Sequence, residues 1–313
     1  MNLVKHIASL DNIIWRCQKR NPKHDSKINI RADSIFENLQ IKIHILYFLL
    51  YYCFAENISI NNAVLKCNDF CNKIGETGIS QASVTKFFKI VGQKIKDKMH
   101  KVWDKNLLGV IINPELGYGS VEIDESKIIS SNNLIYWMFG VIDRNTKEAR
   151  VRCVLNNRTK DKLLPIIKKY VYSGNDSDEL DLDEYDEEGN IIIEENYSIK
   201  TRVFSDCFRS YQIEDFDNMG YILKRVNHSV WFGMGLLHTN TIESLWHQLK
   251  LITQNFSGLN IENLIKSFNS DENQITNYLD GWICYALLIS EIRIKKLNWS
   301  GRIDLLSNYL IID

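Results

Sequence analysis

Apolar residues along this chain keep one period over the first third and another through the middle. Up to about residue 110 they recur at helical spacing, so residues 1–110 read as mostly helical. Residues 41–54 form one strongly apolar helix and residues 60–71 a shorter one, with a turn at Gly75–Gly78. Ser80 is the expected N-cap of a third helix running to about Trp103, in which Val84, Phe87, Phe88, Val91 and Ile95 share a core-facing side. After Pro114 the period becomes extended. Residues 120–125 (SVEIDE), 135–142 (IYWMFGVI) and 149–155 (ARVRCVL) read as three strands, with Arg144, Asn145 and Thr146 supplying the second turn. A helix over residues 159–172, a strand at 200–205 and a strand at 221–226 come next, and helices return from Asn240 to about Leu297. Three meandering strands, then helix, strand, helix, strand and helices, predict an α/β fold with one mixed five-stranded sheet.

That order suggests a helical N-terminal region over 1–110, a sheet domain over 115–260 and C-terminal helices over 261–313 packing on it. In the third helix Lys86, Lys89, Gln93 and Lys96 recur on one side, beside a stripe of Lys94, Lys98, Lys101 and Lys105. Two packed helices followed by a basic one suggest a helix-turn-helix, with Lys86, Lys89 and Lys96 toward DNA. A lysine-rich face is equally what a solvated helix surface presents.

Charge sharpens the division. The net charge is −1, but residues 174–196 hold eleven acidic residues and no Lys or Arg, so the remainder carries +10. Residues 1–110 hold seventeen Lys and Arg against nine Asp and Glu. This suits an N-terminal region that binds a polyanion, with a separate acidic loop or hairpin inserted at 174–196. The seven cysteines lack the spacing of a disulfide framework and suit free thiols in a reducing compartment. The longest apolar run, residues 43–55, is too short to span a bilayer, and no secretion signal is evident, so no membrane association is expected.

Three acids stand where an α/β sheet presents chemistry. Asp124 lies in the first strand, Asp206 at the end of the fourth, and Glu243 at the start of the helix after the fifth. Residues at the carboxyl ends of strands look into the crevice where ligands bind. Carboxylates suit hard Mg2+ or Mn2+, and two such ions can clamp both oxygens of an in-line phosphoryl displacement. Each acid also has a plain structural role open to it. Asp124 sits between Glu122 and Glu125 in a charged segment, Asp206 can cap the residues after it, and Asn240 with Glu243 forms a capping box. Glu243, His247 and Lys250 are spaced to share one face, opposite Ile242, Leu245, Trp246 and Leu249.

The segments SVEIDES, WMFGVIDR, VFSDCFRSY, RVNHS and HTNTIESLWHQLK resemble those of the Merlin-type DDE transposases and their bacterial ISXO-type insertion-sequence relatives. The resemblance runs from about Gly119 to Phe256. It includes the thirty-six residues between Asp206 and Glu243 and the lysine seven positions after Glu243. It implies a ribonuclease-H-like core, with Asp124, Asp206 and Glu243 as ligands of two Mg2+ or Mn2+ ions and Lys250 on transposon-end DNA. It also implies supporting roles for His228, His238 and Asn240, although a satisfied core histidine is the alternative for each His. Relatives often begin with a cysteine-paired zinc module. Here the matching region, WRCQKRNPKHDSKINIR, offers Cys17 and His24, short of the four ligands of a structural site, so no zinc is expected.

The activity implied is metal-dependent cleavage and strand transfer of a transposable element, by a homodimer or larger assembly that pairs two DNA ends. A DNA-binding protein derived from such an element, without catalysis, is the alternative. Work on chromosomal DNA implies the nucleus in a eukaryotic host and the nucleoid-bearing cytoplasm otherwise.

Overall fold

The computed structural model describes residues 2–20, 23–32, 34, 36–37, 39–52, 56, 58–111, 118–131, 134–174, 184–185, 191–192, 200–206, 208–226, 238–254, 268, 271–295, 301–302 and 305. The chain divides into two compact units. Met1–Met99, Leu251–Ser267 and Gly281–Asp313 make the first; His100–Lys250 and Phe268–Asp280 make the second. The C-terminal residues from Gly281 thus group with the N-terminal region rather than with the sheet domain, where the sequence placed them.

The first unit opens on strands, not helices. β1 (Asn2–Lys5), β2 (Ile13–Arg20) and β3 (Lys23–Asn29) form an antiparallel sheet in that order. Neither helical nor alternating period marks them. The apolar residues of β2 are consecutive (Ile13, Ile14, Trp15), and β3 (KHDSKIN) has Ile28 alone, so cross-strand pairing rather than pattern defines the strands. A buried ion pair fastens this sheet to the segment that leads into the first helix. Arg31 donates from Nε and Nη2 to the two carboxylate oxygens of Asp11, both at 2.5 Å, and also to the carbonyls of Leu39 and Ile41. Asp11 in turn accepts from the amide of Ile43 at 2.8 Å, and its carboxyl is held below the usual carboxylate range by Arg31 and that amide against the cost of burial.

α1 (Ile43–Leu50), α2 (Ile60–Lys73) and α3 (Gln81–Trp103) come next, as the periodicity predicted. Ser59 Oγ caps α2 through the Asn62 amide, and Ser80 Oγ accepts from the Ser83 amide at the start of α3. Val84, Phe87, Phe88, Val91 and Ile95 are buried as expected. Lys86 and Lys89 are exposed, but Lys96 is buried with its ammonium 3.7 Å from Asp97, which removes it from any groove-facing side.

In the second unit β4 (Ser120–Ser131), β5 (Leu134–Asp143) and β6 (Ala149–Leu155) meander antiparallel. The turn into β6 is built by Asp143, whose Oδ1 accepts the amides of Asn145 and Thr146. α4 (Lys160–Tyr170) leads to the acidic region, of which β7 (Glu184–Tyr185) and β8 (Ile191–Ile192) are described as an antiparallel pair. β9 (Arg202–Asp206), α5 (Ile213–Asn218), β10 (Ile222–Val226), α6 (Asn240–Gln254) and α7 (Glu272–Ile294) complete the order. The sheet runs β10-β9-β4-β5-β6, with β4 parallel to β9 and β9 parallel to β10. It is a five-stranded mixed sheet with flanking helices, as predicted. No described helix is long and apolar enough to cross a membrane.

Alternation in β4 sets the two faces. Val121 and Ile123 pack with Leu163 and Ile167 of α4, Phe216 of α5, and Val203, Phe139 and Val141. The even positions, Glu122 and Asp124, turn to the other face, where α6 lies.

Candidate active site

Glu122 pairs with Phe204 across the parallel β4–β9 ladder. Two residues further along each strand stand Asp124 and Asp206, on the same face and one strand apart. α6 lies over this face and brings Glu243 in its first turn. Two carboxylates of β4 hold the helix down. Glu122, fully buried, accepts the Ile242 amide at 2.9 Å, and Asp124 Oδ2 accepts the Trp246 indole Nε1–H at 2.8 Å. Gly140 is the residue opposite Asp124 on β5, and a Cβ there would stand 2.5 Å from Cη2 of Trp246. A glycine in the WMFGVID segment is therefore what lets the indole reach Asp124.

The charge of Glu122 is compensated. Arg144 donates from Nε at 2.9 Å and forms an ion pair with it, while its guanidinium lies 3.5 Å from the ring centroid of Phe204. Arg144 also bonds the carbonyl of His238, tying down the residue that leads into α6. His238 Nδ1 is 3.4 Å from Glu122 Oε1, and burial, with Arg144 nearby, pushes the imidazole below its ordinary value. It therefore stands at the root of α6, beside Glu122 and Arg144.

Asp124 is not compensated in this way. It is partly buried, and its described side-chain donor is a neutral indole. Burial pushes its carboxyl from 3.8 to about 6, the indole and a backbone amide oppose this, and the negative charges of Asp206 and Glu243 raise it further. Asp206 and Glu243 are therefore near enough for their charges to reach the Asp124 carboxyl. Asp206, the last residue of β9, accepts the Phe208 amide at 3.0 Å, and Glu243 Oε1 accepts from Thr239 Oγ1 at 2.9 Å. The cap-like contact at α6 involves Thr239 rather than Asn240, which is exposed as the first helical residue. Glu243, His247 and Lys250 are all exposed on α6, as their spacing predicted. His228 lies outside the described residues.

Glu125, one residue on, occupies a position on the apolar side of β4. It is buried among Tyr211, whose hydroxyl donates to Oε1, and Arg158, whose Nη1 donates to Oε2 at 3.3 Å. Arg158 is stacked over Trp137 and Phe208. Burial, with Asp124 and Asp206 adding to it, pushes Glu125 up to about 8 despite Arg158. Sequence reasoning did not single out Glu122, Arg144, Glu125 or the Trp246 indole. The usable signal for Glu122 was an acid two residues before Asp124 in a strand otherwise patterned for burial.

Chemically the face offers hard oxygen donors of like charge in a partly dehydrated setting, which a divalent cation would relieve. Each of the three carboxylates is oriented by a protein hydrogen bond, as ligands of metals commonly are. Among the described residues, however, no three His, Cys, Asp or Glu side chains are grouped so as to hold a metal ion. The chain matches no protein-family model and no curated protein.

Proposed function

We propose that the second unit is a ribonuclease-H-like core of a DDE transposase, cutting and joining DNA with Asp124, Asp206 and Glu243. One observation carries this: Asp124 and Asp206 stand on one face of the neighbouring strands β4 and β9, and α6, bonded to that face through Glu122 and Asp124, carries Glu243 in its first turn. The element order of a meander followed by helix, strand, helix and strand is what such a core requires, and the observed sheet has it.

In this account the three acids hold two Mg2+ or Mn2+ ions, which supply charge neutralisation at the phosphoryl oxygens and an activated water or 3′-hydroxyl. Asp124 and Asp206 provide the rigid strand-borne side of the site. Glu243 provides the helix-borne side, its position fixed through Glu122 and Arg144. Lys250, exposed two turns along the same face of α6, meets a backbone phosphate of the bound end. DNA also lies against Lys86 and Lys89 of α3, in a helix-turn-helix arrangement of α2 and α3. Joining two ends calls for a homodimer or larger assembly, at work wherever chromosomal DNA is held.

The test is cleavage of DNA carrying the ends of the element in the presence of Mn2+. Asp124→Asn, Asp206→Asn and Glu243→Gln should each abolish it while DNA binding persists. A second reading, DNA binding without catalysis, is favoured by the lack of a preformed ligand group among the described residues. Binding by the unaltered chain with no nicking in Mn2+ would select it.

A further inference from the structure

The β4–β9 ladder ends before it reaches the two strand-borne acids. Its last pair is Glu122 with Phe204; from there β4 continues beside β5 and β9 beside β10, where Asp206 stands opposite Val226. Ladder hydrogen bonds are what hold parallel strands at a constant spacing, so whatever fixes Asp206 against Asp124 lies beyond the ladder. In a site of the kind proposed above, both acids must be held within about 0.5 Å of the productive geometry.

A side-chain connection spans this gap on the opposite face of β4. Glu125, buried and next to Asp124, accepts the Tyr211 hydroxyl on Oε1 and Arg158 Nη1 on Oε2 at 3.3 Å. Tyr211 comes five residues after Asp206, and the segment between them is fastened at several points. Asp206 Oδ1 accepts the Phe208 amide at 3.0 Å, and the Tyr211 amide donates to the Phe208 carbonyl at 3.1 Å. Ser210 Oγ donates to the Arg158 carbonyl at 2.6 Å, and Arg225 of β10 donates to the Tyr211 carbonyl. The Arg158 guanidinium lies 3.9 Å from the ring centroid of Trp137 and 4.4 Å from that of Phe208. Tyr211 is fully buried beside Phe216, so its hydroxyl cannot exchange Glu125 for water. Packing there needs only the ring. A hydroxyl and a carboxyl placed in an apolar core are costly unless bonded to each other, and here their bond joins the strand of Asp124 to the segment of Asp206.

We infer that Glu125, Tyr211 and Arg158 are positioning residues, which together fix Asp206 relative to Asp124. Their bearing on metal binding and cleavage rests on the proposed function; their hold on Asp206 does not.

The experiment uses Tyr211→Phe, which removes one oxygen and keeps the ring in the core. Amide hydrogen exchange of the full chain is followed by NMR without metal or DNA. The Phe208 amide, which rests on the Asp206 carboxylate, should exchange roughly tenfold faster in the variant, the effect of losing one buried hydrogen bond. The Ile222 amide, held by the Thr201 carbonyl just before β9 at 3.1 Å, should keep its rate. Glu125→Gln retains an acceptor oxygen for the Tyr211 hydroxyl and should fall between Tyr211→Phe and the unaltered chain. In Mn2+ titrations of DNA cleavage, Tyr211→Phe should raise the half-saturating Mn2+ concentration roughly ten- to a hundredfold, as loss of a partner that orients a metal ligand does. The rate at saturating Mn2+ should change much less. An unchanged Phe208 rate overturns the inference. Equal acceleration of the Phe208 and Ile222 amides also overturns it, by assigning the cluster to the stability of the whole sheet, as does cleavage with an unchanged Mn2+ requirement. Absence of cleavage by the unaltered chain would instead sink the proposed function, and the two exchange rates alone would then decide whether the cluster holds Asp206.

Discussion

Replacing Glu122 by alanine probes how Glu243 is held in place. The substitution leaves the Arg144 guanidinium and the Ile242 amide without their shared acceptor inside the protein. Removing one partner of a buried ion pair costs about 3–5 kcal/mol, mostly through the charge left behind. Arg144 retains the His238 carbonyl and the Phe204 ring, which sets the expectation at the lower end, about 3 kcal/mol. Glu122→Gln keeps the volume and one acceptor oxygen, so about 1–2 kcal/mol is expected. Urea unfolding with linear extrapolation measures both, against a total domain stability of about 5–15 kcal/mol. Replacing both partners, Glu122→Leu with Arg144→Met, should recover much of the loss, because an apolar pair needs no compensation. A loss of less than about 1 kcal/mol in Glu122→Ala, well short of the cost of a broken buried pair, would refute the view that this pair fastens α6 to β4.

The same contacts set four further expectations. Gly140→Ala should drive the Trp246 ring off Asp124, since the added Cβ falls 2.5 Å from Cη2; the cost of such overpacking is about 1–3 kcal/mol, and the indole N–H signal in NMR should shift. Glu125, raised from 4.5 to about 8, is protonated in the folded chain where the unfolded chain is ionised. Its contribution to stability should therefore fall as pH rises from 4.5 to about 8. The slope is up to about 1.4 kcal/mol per unit, and Glu125→Gln should remove it in urea unfolding followed across that range. Lys86→Gln with Lys89→Gln should lower the salt slope of duplex binding by about 2, whereas Lys96→Gln should change stability and leave the slope alone. Asp206→Asn should lower the Asp124 carboxyl from about 6 in a carboxyl NMR titration, because one of the charges raising it is gone.

The five-stranded sheet of the second unit was legible because its strands are buried on at least one face and therefore patterned. Val121 and Ile123 alternate with Glu122 and Asp124, and the Asp143 turn is written in the DRNT after WMFGVI. Even so, β4 runs to Ser131, past the predicted Glu125, since its far end carries polar residues and an irregularity between Lys127 and Ile129. The N-terminal sheet was not legible. One face exposes Leu3, Trp15 and Ile28 and the other exposes Lys27 and Asn29, so little inside–outside contrast was available to betray strands. Asp124, Asp206 and Glu243 could be placed from sequence, but what distinguishes them could not. Whether an acid is paired with an arginine, as Glu122 is, or with a neutral indole, as Asp124 is, depends on partners twenty to more than a hundred residues away. Lys96 shows the converse: a regular lysine stripe on α3 gave no sign that one member lies inside.

The central claim is that Asp124, Asp206 and Glu243 form one metal-dependent catalytic site. Its most direct measurement is Mn2+-dependent cleavage of DNA bearing the sequences that flank the chain's own gene, with the unaltered protein and the three single variants in parallel. Site-specific 3′-hydroxyl ends from the unaltered chain, and none from Asp124→Asn, Asp206→Asn or Glu243→Gln despite retained DNA binding, are the predicted result. Undiminished cleavage by any one of the three variants would contradict it.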